Sequence, residues 1–516
     1  MREGQFSTNG DPVRDHEKKR LGPNAVFAVL QVLVSSVILF LLYRFLLVQL
    51  GVEALGVWSL VIAATSLANV SNLGLAGGTV RFVSKYLALG DARSAGLAVE
   101  TSTLSIAAAM GLVVLLLWLV IEWLLALVIP DEWLGQARQI VPFTLAALWL
   151  NSVGGAIHSG LDGCHRGDLR SIAVMLTQPV LLLSAIWLVP KLGLKGIAFA
   201  QIFQYLVWLA LGWVLLRKQL PTLSIIPFRW SRRLFLDMWR YGVSFQLISI
   251  FVLLTEPLAK GLLSHYGNLT AVGYFEMANR LVVQVRAILV SANQVLVPYY
   301  SKVGEISREK IKAVYLINLN TIFLMGSILF STLVAMLPLI SEMWIGRLEP
   351  QFLIFAVMLA TGWFLTTLGV PAYFANLGLG RLSHNLLNHA TTMFSMVPLA
   401  IIGSLLAGPE GGAAAWPISM SIGTFVIVKK FHQAEKISTL DFLCRSNIIV
   451  LLLNFFIALF GFIAYYILYN LNGFYIAISS TIVIILGGWS LLLVISTKTR
   501  EMFSSILAFI FAKKQI

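Results

Sequence analysis

The chain has 516 residues, of which 58% are hydrophobic and only 12% are charged, and its mean hydropathy is +0.86. A soluble domain carries about a quarter of its residues as charged side chains, so this composition excludes an ordinary soluble protein. The net charge of +14 does not indicate nucleic-acid binding, because the Lys and Arg residues lie in short segments between apolar runs, as in membrane proteins.

Apolar runs long enough to cross a bilayer follow one another along almost the whole chain. Since a spanning helix needs about 20 apolar residues, we predict an all-α, polytopic membrane protein with about 14 transmembrane helices. The first run begins too late and is too long to be a cleavable signal peptide. The predicted spans are residues 25–50, 54–76, 97–128, 139–160, 171–190, 196–216, 242–263, 272–300, 312–338, 351–376, 388–406, 413–428, 447–469 and 474–496.

The positions of the basic residues predict the orientation of these spans. With the N-terminus inside the cell, the inner loops collect most of the 37 Lys and Arg residues, and both chain ends are cytoplasmic. Binding of membrane lipid headgroups is a second, less favoured interpretation of the inner basic clusters. The two cysteines, Cys164 and Cys444, fall in predicted inner loops, so we expect no disulfide framework.

The two halves of the chain resemble each other. Gly56-Val-Trp opens one span and Ser84-Lys85 follows its inner end, while Gly273-Tyr-Phe and Ser301-Lys302 repeat this pattern 217 residues later. An even number of spans separates the copies, so the repeat is parallel and predicts two six-helix lobes. We expect an N-terminal tail, an N-lobe, a basic linker, a C-lobe, two extra spans and a C-terminal tail. Their boundaries are residues 1–24, 25–216, 217–241, 242–428, 429–496 and 497–516.

Motifs for catalysis or cofactor binding are missing from the sequence. It has no P-loop, no His-Glu-x-x-His and no Cys-x-x-Cys motif, and its seven histidines are scattered. The predicted outer loops are short and offer no room for a glycan-polymerising site. We therefore expect a protein that is not an enzyme and binds no metal or organic cofactor, with H⁺ or Na⁺ as the candidate coupling ions.

Among the charged residues of the predicted spans, we single out six as intramembrane charges. A charge at mid-bilayer costs on the order of 2.5–3.5 kcal/mol and needs a partner or a polar cavity. The six residues are Arg44, Glu256, Lys260, Glu276, Arg280 and Arg286. At about 100° per residue, the polar side chains of spans 7 and 8 form one stripe on each helix. Two stripes on consecutive helices predict a shared polar cavity.

The charges in these stripes allow a functional and a structural interpretation. Glu256–Lys260 and Glu276–Arg280 are i,i+4 pairs that can lock the helices together, whereas Arg286 has no acid three or four residues away. We assign a substrate-binding role to Arg286, Arg280, Lys260 and Arg44, and an ion-coupling role to Glu256 and Glu276. The competing interpretation is that Arg44 and Lys260 snorkel to the outer interface and that the ion pairs are static.

Several motifs resemble the polysaccharide transporter family, the Wzx-type O-antigen and exopolysaccharide flippases of the multidrug/oligosaccharidyl-lipid/polysaccharide exporter (MOP) superfamily. These motifs are Tyr43–Gly51, Leu55–Leu60, Asn72–Leu75, Arg81–Tyr86, Val272–Phe275 and Val297–Lys302. The resemblance implies two lobes in a V-shaped arrangement and alternating access. The family often has Asp where this chain has Glu256, which keeps the carboxylate but leaves the mode of ion coupling open.

By this resemblance the substrate is an undecaprenyl-diphosphate-linked oligosaccharide, and the location is the bacterial cytoplasmic (inner) membrane. The expected partners are this lipid-linked oligosaccharide and membrane lipids, with a polysaccharide polymerase and chain-length proteins as further candidates and no nucleic acid. The first alternative is a MATE-like drug/cation antiporter, which should prefer acidic pockets. A membrane glycan polymerase or ligase is the second alternative, and the short outer loops argue against it.

Overall fold

In the computed structural model, the described residues are 12–72, 75–294, 296–304, 307–438 and 445–495. Every regular element within these ranges is helical, which confirms the all-α fold class. Cys444 lies outside the described residues, and Cys164 forms no disulfide bond among them. The α-helices are α1 Pro12–Leu50, α2 Val52–Ser66, α3 Leu75–Ala88, α4 Ala92–Ala126, α5 Asp131–Gly163, α6 Gly167–Leu192, α7 Leu194–Gln219, α8 Arg232–Tyr266, α9 Leu269–Gln294, α10 Val297–Gly304, α11 Arg308–Ile345, α12 Pro350–Thr367, α13 Val370–Gly378, α14 Leu382–Glu435, α15 Arg445–Asn472 and α16 Phe474–Ile495. A 3₁₀ turn at Leu67–Asn72 follows α2.

Among the described residues, 11 helices are long and apolar enough to cross a membrane. This finding confirms a multi-pass membrane protein, but it does not confirm the predicted count of 14 spans. Two predicted spans correspond to α8 and α9, which are absent from the 11 and carry intramembrane charges. Two others, residues 388–406 and 413–428, are halves of α14, which turns at Ala407 and Gly408, where Gly408 has a φ of 60°.

In the structure, some predicted spans are divided into two helices although their apolar sequence continues. The predicted span 351–376 divides into α12 and α13, and Pro371 stands in the first turn of α13. Proline has no backbone N–H to donate to the preceding turn, so it begins a new helix here. The predicted span 272–300 likewise divides, since α9 ends at Gln294. Hydrophobicity alone does not predict such breaks between helices.

The chain forms two compact units. Unit 1 contains the described residues up to Phe45, Ala64–Leu124 and Leu134–Leu247, and unit 2 contains Leu46–Ala63, Leu125–Trp133 and the described residues from Ile248 onward. The lobe and linker boundaries expected from the sequence repeat stay a prediction.

In unit 1, α6 packs along α7, and a buried apolar core joins α3, α4, α5 and the start of α8. Gly78 of α3 lies against Met238 of α8, whose Cβ is 3.1 Å from the position that a Cβ on Gly78 would take. A close approach of this kind is the role that small residues have between membrane helices.

In unit 2, α12 packs on α9 and α14, while α15 and α16 pack on each other and α15 on α11. Asn454 of α15 is buried and bonded to α11, where Ser331 Oγ donates to Asn454 Oδ1 at 2.9 Å. Hydrogen bonds between helices fix their register where lipid offers no alternative partner.

The start of α2 crosses α9 at two glycines that occupy equivalent positions in the sequence repeat. A Cβ on Gly56 would collide with the carbonyl oxygen of Leu269, and a Cβ on Gly273 would collide with the carbonyl oxygen of Val52. Backbone therefore meets backbone at this crossing, and only glycine fits on either side. The repeat seen in the sequence thus brings its own copies into contact within unit 2.

We predict that Gly273→Ala destabilises the protein by about 1–3 kcal/mol, because the added methyl group must push α2 away from α9. Gly77→Ala is the matched control, since Gly77 faces open space and alanine favours helix. Thermal unfolding of the purified proteins in detergent measures both. Equal melting temperatures for Gly273→Ala and Gly77→Ala would show that α2 and α9 can move apart at this crossing without loss of stability.

Candidate functional site

A buried lysine forms the centre of a charged cluster in unit 2. The Lys260 ammonium group lies 2.5 Å from Glu256 Oε1 and 2.6 Å from Glu276 Oε2. The Lys260 side chain is only 1% exposed, whereas that of Glu256 is 40% exposed. Both carboxylates therefore compensate a charge that has no access to solvent, and Glu256 links the cluster to the surface of the unit.

Glu276 holds the second half of the cluster together. Its side chain is 2% exposed, and its Oε1 accepts a hydrogen bond from Arg280 Nε at 2.6 Å. Its Oε2 also accepts a hydrogen bond from Ser59 Oγ at 3.1 Å. With two acids and two bases, the cluster is formally neutral. Such pairing offsets the desolvation cost that an isolated buried charge would carry.

Both i,i+4 pairs expected from the sequence are present in this cluster, and Lys260 adds a contact between α8 and α9. Ser59 was not among the predicted site residues. A signal for it existed, because Ser59 stands 217 positions before Glu276 and is its counterpart in the sequence repeat.

Arg286 has a different environment on the same helix. Its guanidinium carbon lies 4.6 Å from the centre of the Trp363 ring, a cation–π contact with α12. Trp363 Nε1 in turn donates a hydrogen bond to Asn279 Oδ1 at 3.2 Å. Arg286 Nε is buried without a hydrogen-bond partner, and no carboxylate pairs with Arg286 among the described residues. Within the part of the chain that the structure describes, Arg286 thus contacts an aromatic ring and pairs with no carboxylate.

Two further aromatic side chains lie within electrostatic range of Arg286. They are Tyr373 of α13 and His389 of α14, whose ring centres are 5.8 Å apart. His389 Nε2 is also buried without a hydrogen-bond partner. The sequence did not single out Trp363, Tyr373 or His389, because each lies on a different helix and none forms a motif with Arg286.

The remaining predicted site residue, Arg44, lies near the end of α1 in unit 1, where its side chain is exposed. The structure thus brings Glu256, Lys260, Glu276 and Arg280 together, gives Arg286 aromatic neighbours and assigns Arg44 to the other unit. Among the described residues, no three His, Cys, Asp or Glu side chains are grouped in a way that could hold a metal ion.

The family model for "Polysaccharide biosynthesis protein" matches residues 21–304, more than half of the chain. The chain belongs to this family. A curated relative, an FAD transporter of Shewanella oneidensis, is 24% identical over 435 residues, which are 77% of this chain and 91% of that protein.

Solved structures share the fold of this family member at low sequence identity. An inward-facing multidrug resistance MATE transporter of the MOP superfamily has a TM-score of 0.67 at 16% identity, over 79% of this chain and 98% of its own. The lipid II flippase MurJ in an inward closed conformation also has a TM-score of 0.67, at 14% identity, over 91% of this chain and 99% of its own. The family match confirms membership of a polysaccharide biosynthesis family, and the solved structures show that the chain shares the fold of MOP-type transporters.

We predict that Lys260→Met destabilises the protein by about 3–5 kcal/mol, because it leaves Glu256 and Glu276 facing each other with one buried cation fewer. The double variant Lys260→Met/Glu256→Gln should be more stable than the single one, since Glu276 keeps Arg280 and the cluster is neutral again. Thermal unfolding and the amount of protein in the membrane measure the effect.

The control for this prediction is Lys429→Met, which removes an exposed lysine near the end of α14 and should leave the melting temperature unchanged. A double variant no more stable than Lys260→Met would show that lost packing, rather than unbalanced charge, causes the loss.

Proposed function

We propose that this transporter moves an undecaprenyl-diphosphate-linked oligosaccharide across the bacterial cytoplasmic membrane by alternating access, for the synthesis of surface polysaccharide. The observation that carries the proposal is Arg286, a partly buried arginine without a carboxylate partner among the described residues. A diphosphate group is the anion that such a guanidinium would bind in bidentate fashion. Location in the inner membrane with both termini cytoplasmic is part of the same proposal.

The neighbours of Arg286 suit a sugar diphosphate. The Trp363 ring contacts the guanidinium group, and a guanidinium group that stacks on an aromatic ring can still donate hydrogen bonds to phosphate oxygens. Arg280 is 39% exposed although its Nε is bonded to Glu276, so a phosphate oxygen can reach the exposed part of its guanidinium group. An oligosaccharide needs polar and aromatic contacts, and His389 Nε2 and the Tyr373 ring add to them.

The relatives support an anionic diphosphate as the cargo. FAD and lipid II both contain a diphosphate, and the names of two similar proteins give these as their cargo. A drug/cation antiporter is the alternative that the MATE likeness raises. Its pocket should carry net negative charge to attract cations, whereas the cluster around Lys260 is neutral and Arg286 adds one positive charge.

Lys260 has a different role in this proposal from the one that the sequence suggested. Since its ammonium group is buried between Glu256 and Glu276, a phosphate would have to displace a carboxylate to reach it. We therefore place Lys260 behind the substrate-binding surface, where it pairs with Glu256. Arg44 remains a candidate for the substrate as it enters or leaves, on its exposure alone.

Glu256 is the residue that we propose for ion coupling with H⁺ or Na⁺. Its carboxylate touches Lys260, yet the side chain is 40% exposed, so a proton or a cation can reach it. Loss of its negative charge would leave Lys260 with Glu276 alone, and Glu276 is shared with Arg280. Binding and release of an ion at Glu256 would thereby alter the contact between α8 and α9.

We predict that glycan export falls in the order wild type, Arg286→Lys, Arg286→Ala at equal protein level. Lysine keeps the charge but loses the planar fork, and alanine loses both. Complementation of a strain that lacks the gene measures this, with lipid-linked repeat units retained on the inner membrane face as the readout. Arg308→Ala, which removes an exposed arginine at the start of α11, is the control. Normal export by Arg286→Ala would remove this residue from the site.

We predict that Glu256→Gln abolishes transport while the protein stays in the membrane, because glutamine keeps the shape of the side chain but binds neither a proton nor Na⁺ at neutral pH. Lipid-linked oligosaccharide uptake into proteoliposomes with an imposed ion gradient measures the loss. If the variant responds to the gradient as wild type does, the pair of Glu256 and Lys260 is a static ion pair.

A further inference from the structure

The connector between α7 and α8, residues 220–231, is bonded along its length to the first turns of α4. Thr222 Oγ1 donates a hydrogen bond to the carbonyl oxygen of Ala92 at 2.9 Å. Further on, Trp230 Nε1 donates to Ser105 Oγ at 2.9 Å, and the Ser231 N–H donates to Thr101 Oγ1 at 3.2 Å. The basic linker that the sequence predicted is therefore an ordered element of unit 1.

Glu100 of α4 is the main anchor of the connector. Its side chain is fully buried and accepts hydrogen bonds from the N–H groups of Ser224 and Arg229, both at 3.0 Å. Arg229 Nη2 adds an ion pair at 2.5 Å, and its hydrogen bond to Glu100 raises the pKa of Arg229 above the ordinary value. One carboxylate thus fixes both the middle and the end of the connector, and Arg229 serves this structure.

The anchor points place the connector at the boundary of the hydrocarbon core. Helix α4 has 35 residues, so it is about 52 Å long, whereas the core is about 30 Å thick. The first large apolar side chain exposed on α4 is Leu112, and exposed apolar residues continue to Trp123. Ser105, which holds Trp230, precedes Leu112 by about 10 Å of helix. Trp230 therefore lies outside the lipid-exposed stretch of α4, as expected for a tryptophan at the level of the lipid headgroups.

The outward face of the connector is apolar, although it lies between two basic segments. Ile225, Ile226, Phe228 and Trp230 are 75%, 71%, 72% and 51% exposed. Exposed cations lie on both sides, with Lys218 before the connector and Arg232 and Arg233 after it. Aromatic and aliphatic side chains beside Lys and Arg at the headgroup level are typical of an interfacial lipid contact.

We propose that this face is a binding site for anionic phospholipid of the leaflet that faces the connector. The apolar side chains enter the headgroup region, and Arg232 and Arg233 pair with headgroup phosphates. The depth of Trp230 and the nearness of the lipid-facing residues of α4 favour a lipid over a protein partner. Because Glu100 holds the connector rigidly, the site exists before lipid binds. This inference is independent of the transported substrate.

Binding of phosphatidylglycerol to the purified full-length protein tests the proposal, with phosphatidylcholine as the neutral lipid. Each basic residue at an anionic surface contributes roughly fivefold in affinity, so Arg232→Gln/Arg233→Gln should weaken phosphatidylglycerol binding about 30-fold. Binding of phosphatidylcholine should not change. The matched control is Lys429→Gln/Lys430→Gln, which removes two adjacent exposed lysines at the end of α14. Equal loss in both variants, or no loss in the arginine variant, would overturn the proposal.

A photochemical experiment identifies what covers the face. We expect p-benzoylphenylalanine in place of Phe228 to form adducts with phospholipid when membranes are irradiated, and the same probe in place of buried Leu223 to react only within the chain. Adducts of the Phe228 probe with another protein, without lipid adducts, would show that the face docks a protein and would overturn the lipid assignment.

Discussion

An ammonium ion buried in a membrane-spanning unit requires negative charge around it, and this requirement determines how α8 and α9 pack. Lys260 reaches from α8 to Glu276 of α9 while it keeps Glu256 on its own helix. Ser59 adds α2 to the same carboxylate. Removal of one partner would leave an uncompensated charge, which costs far more than the net gain of the pair. Three helices are thus held in one register by four charges and a hydroxyl.

The sequence repeat explains why these partners meet. Gly56 and Gly273 are equivalent positions, and they face each other where α2 crosses α9. Ser59 and Glu276 are equivalent as well, and so are Glu53 and Thr270, whose side chains are 3.5 Å apart. At both pairs one copy supplies a carboxylate and the other a hydroxyl. The repeat therefore supplies a symmetric backbone crossing, and the sequence differences between its copies supply complementary side chains.

The sequence predicted what depends on local spacing. Apolar length predicted the membrane helices, and i,i+4 spacing predicted the pairs of Glu256 with Lys260 and Glu276 with Arg280. The contact of Arg286 with Trp363 lay beyond this reasoning, because α9 and α12 meet through tertiary packing. The ordered connector was also missed. Glu100, which anchors the connector, stands more than 120 residues before Arg229. No local sequence pattern distinguishes a basic loop that is held by such an anchor from a solvated loop.

The contrast between the buried Lys260 and the partly buried Arg286 bears on how an anion could be carried and released. Lys260 is paired with two carboxylates, so an anionic ligand gains little from it. Arg286 has an aromatic ring as its partner, which lowers the cost of burying the guanidinium group but does not neutralise it. In the proposed cycle, a diphosphate would supply the missing negative charge on binding. On release, water would hydrate the guanidinium group, with which no carboxylate of the described residues pairs.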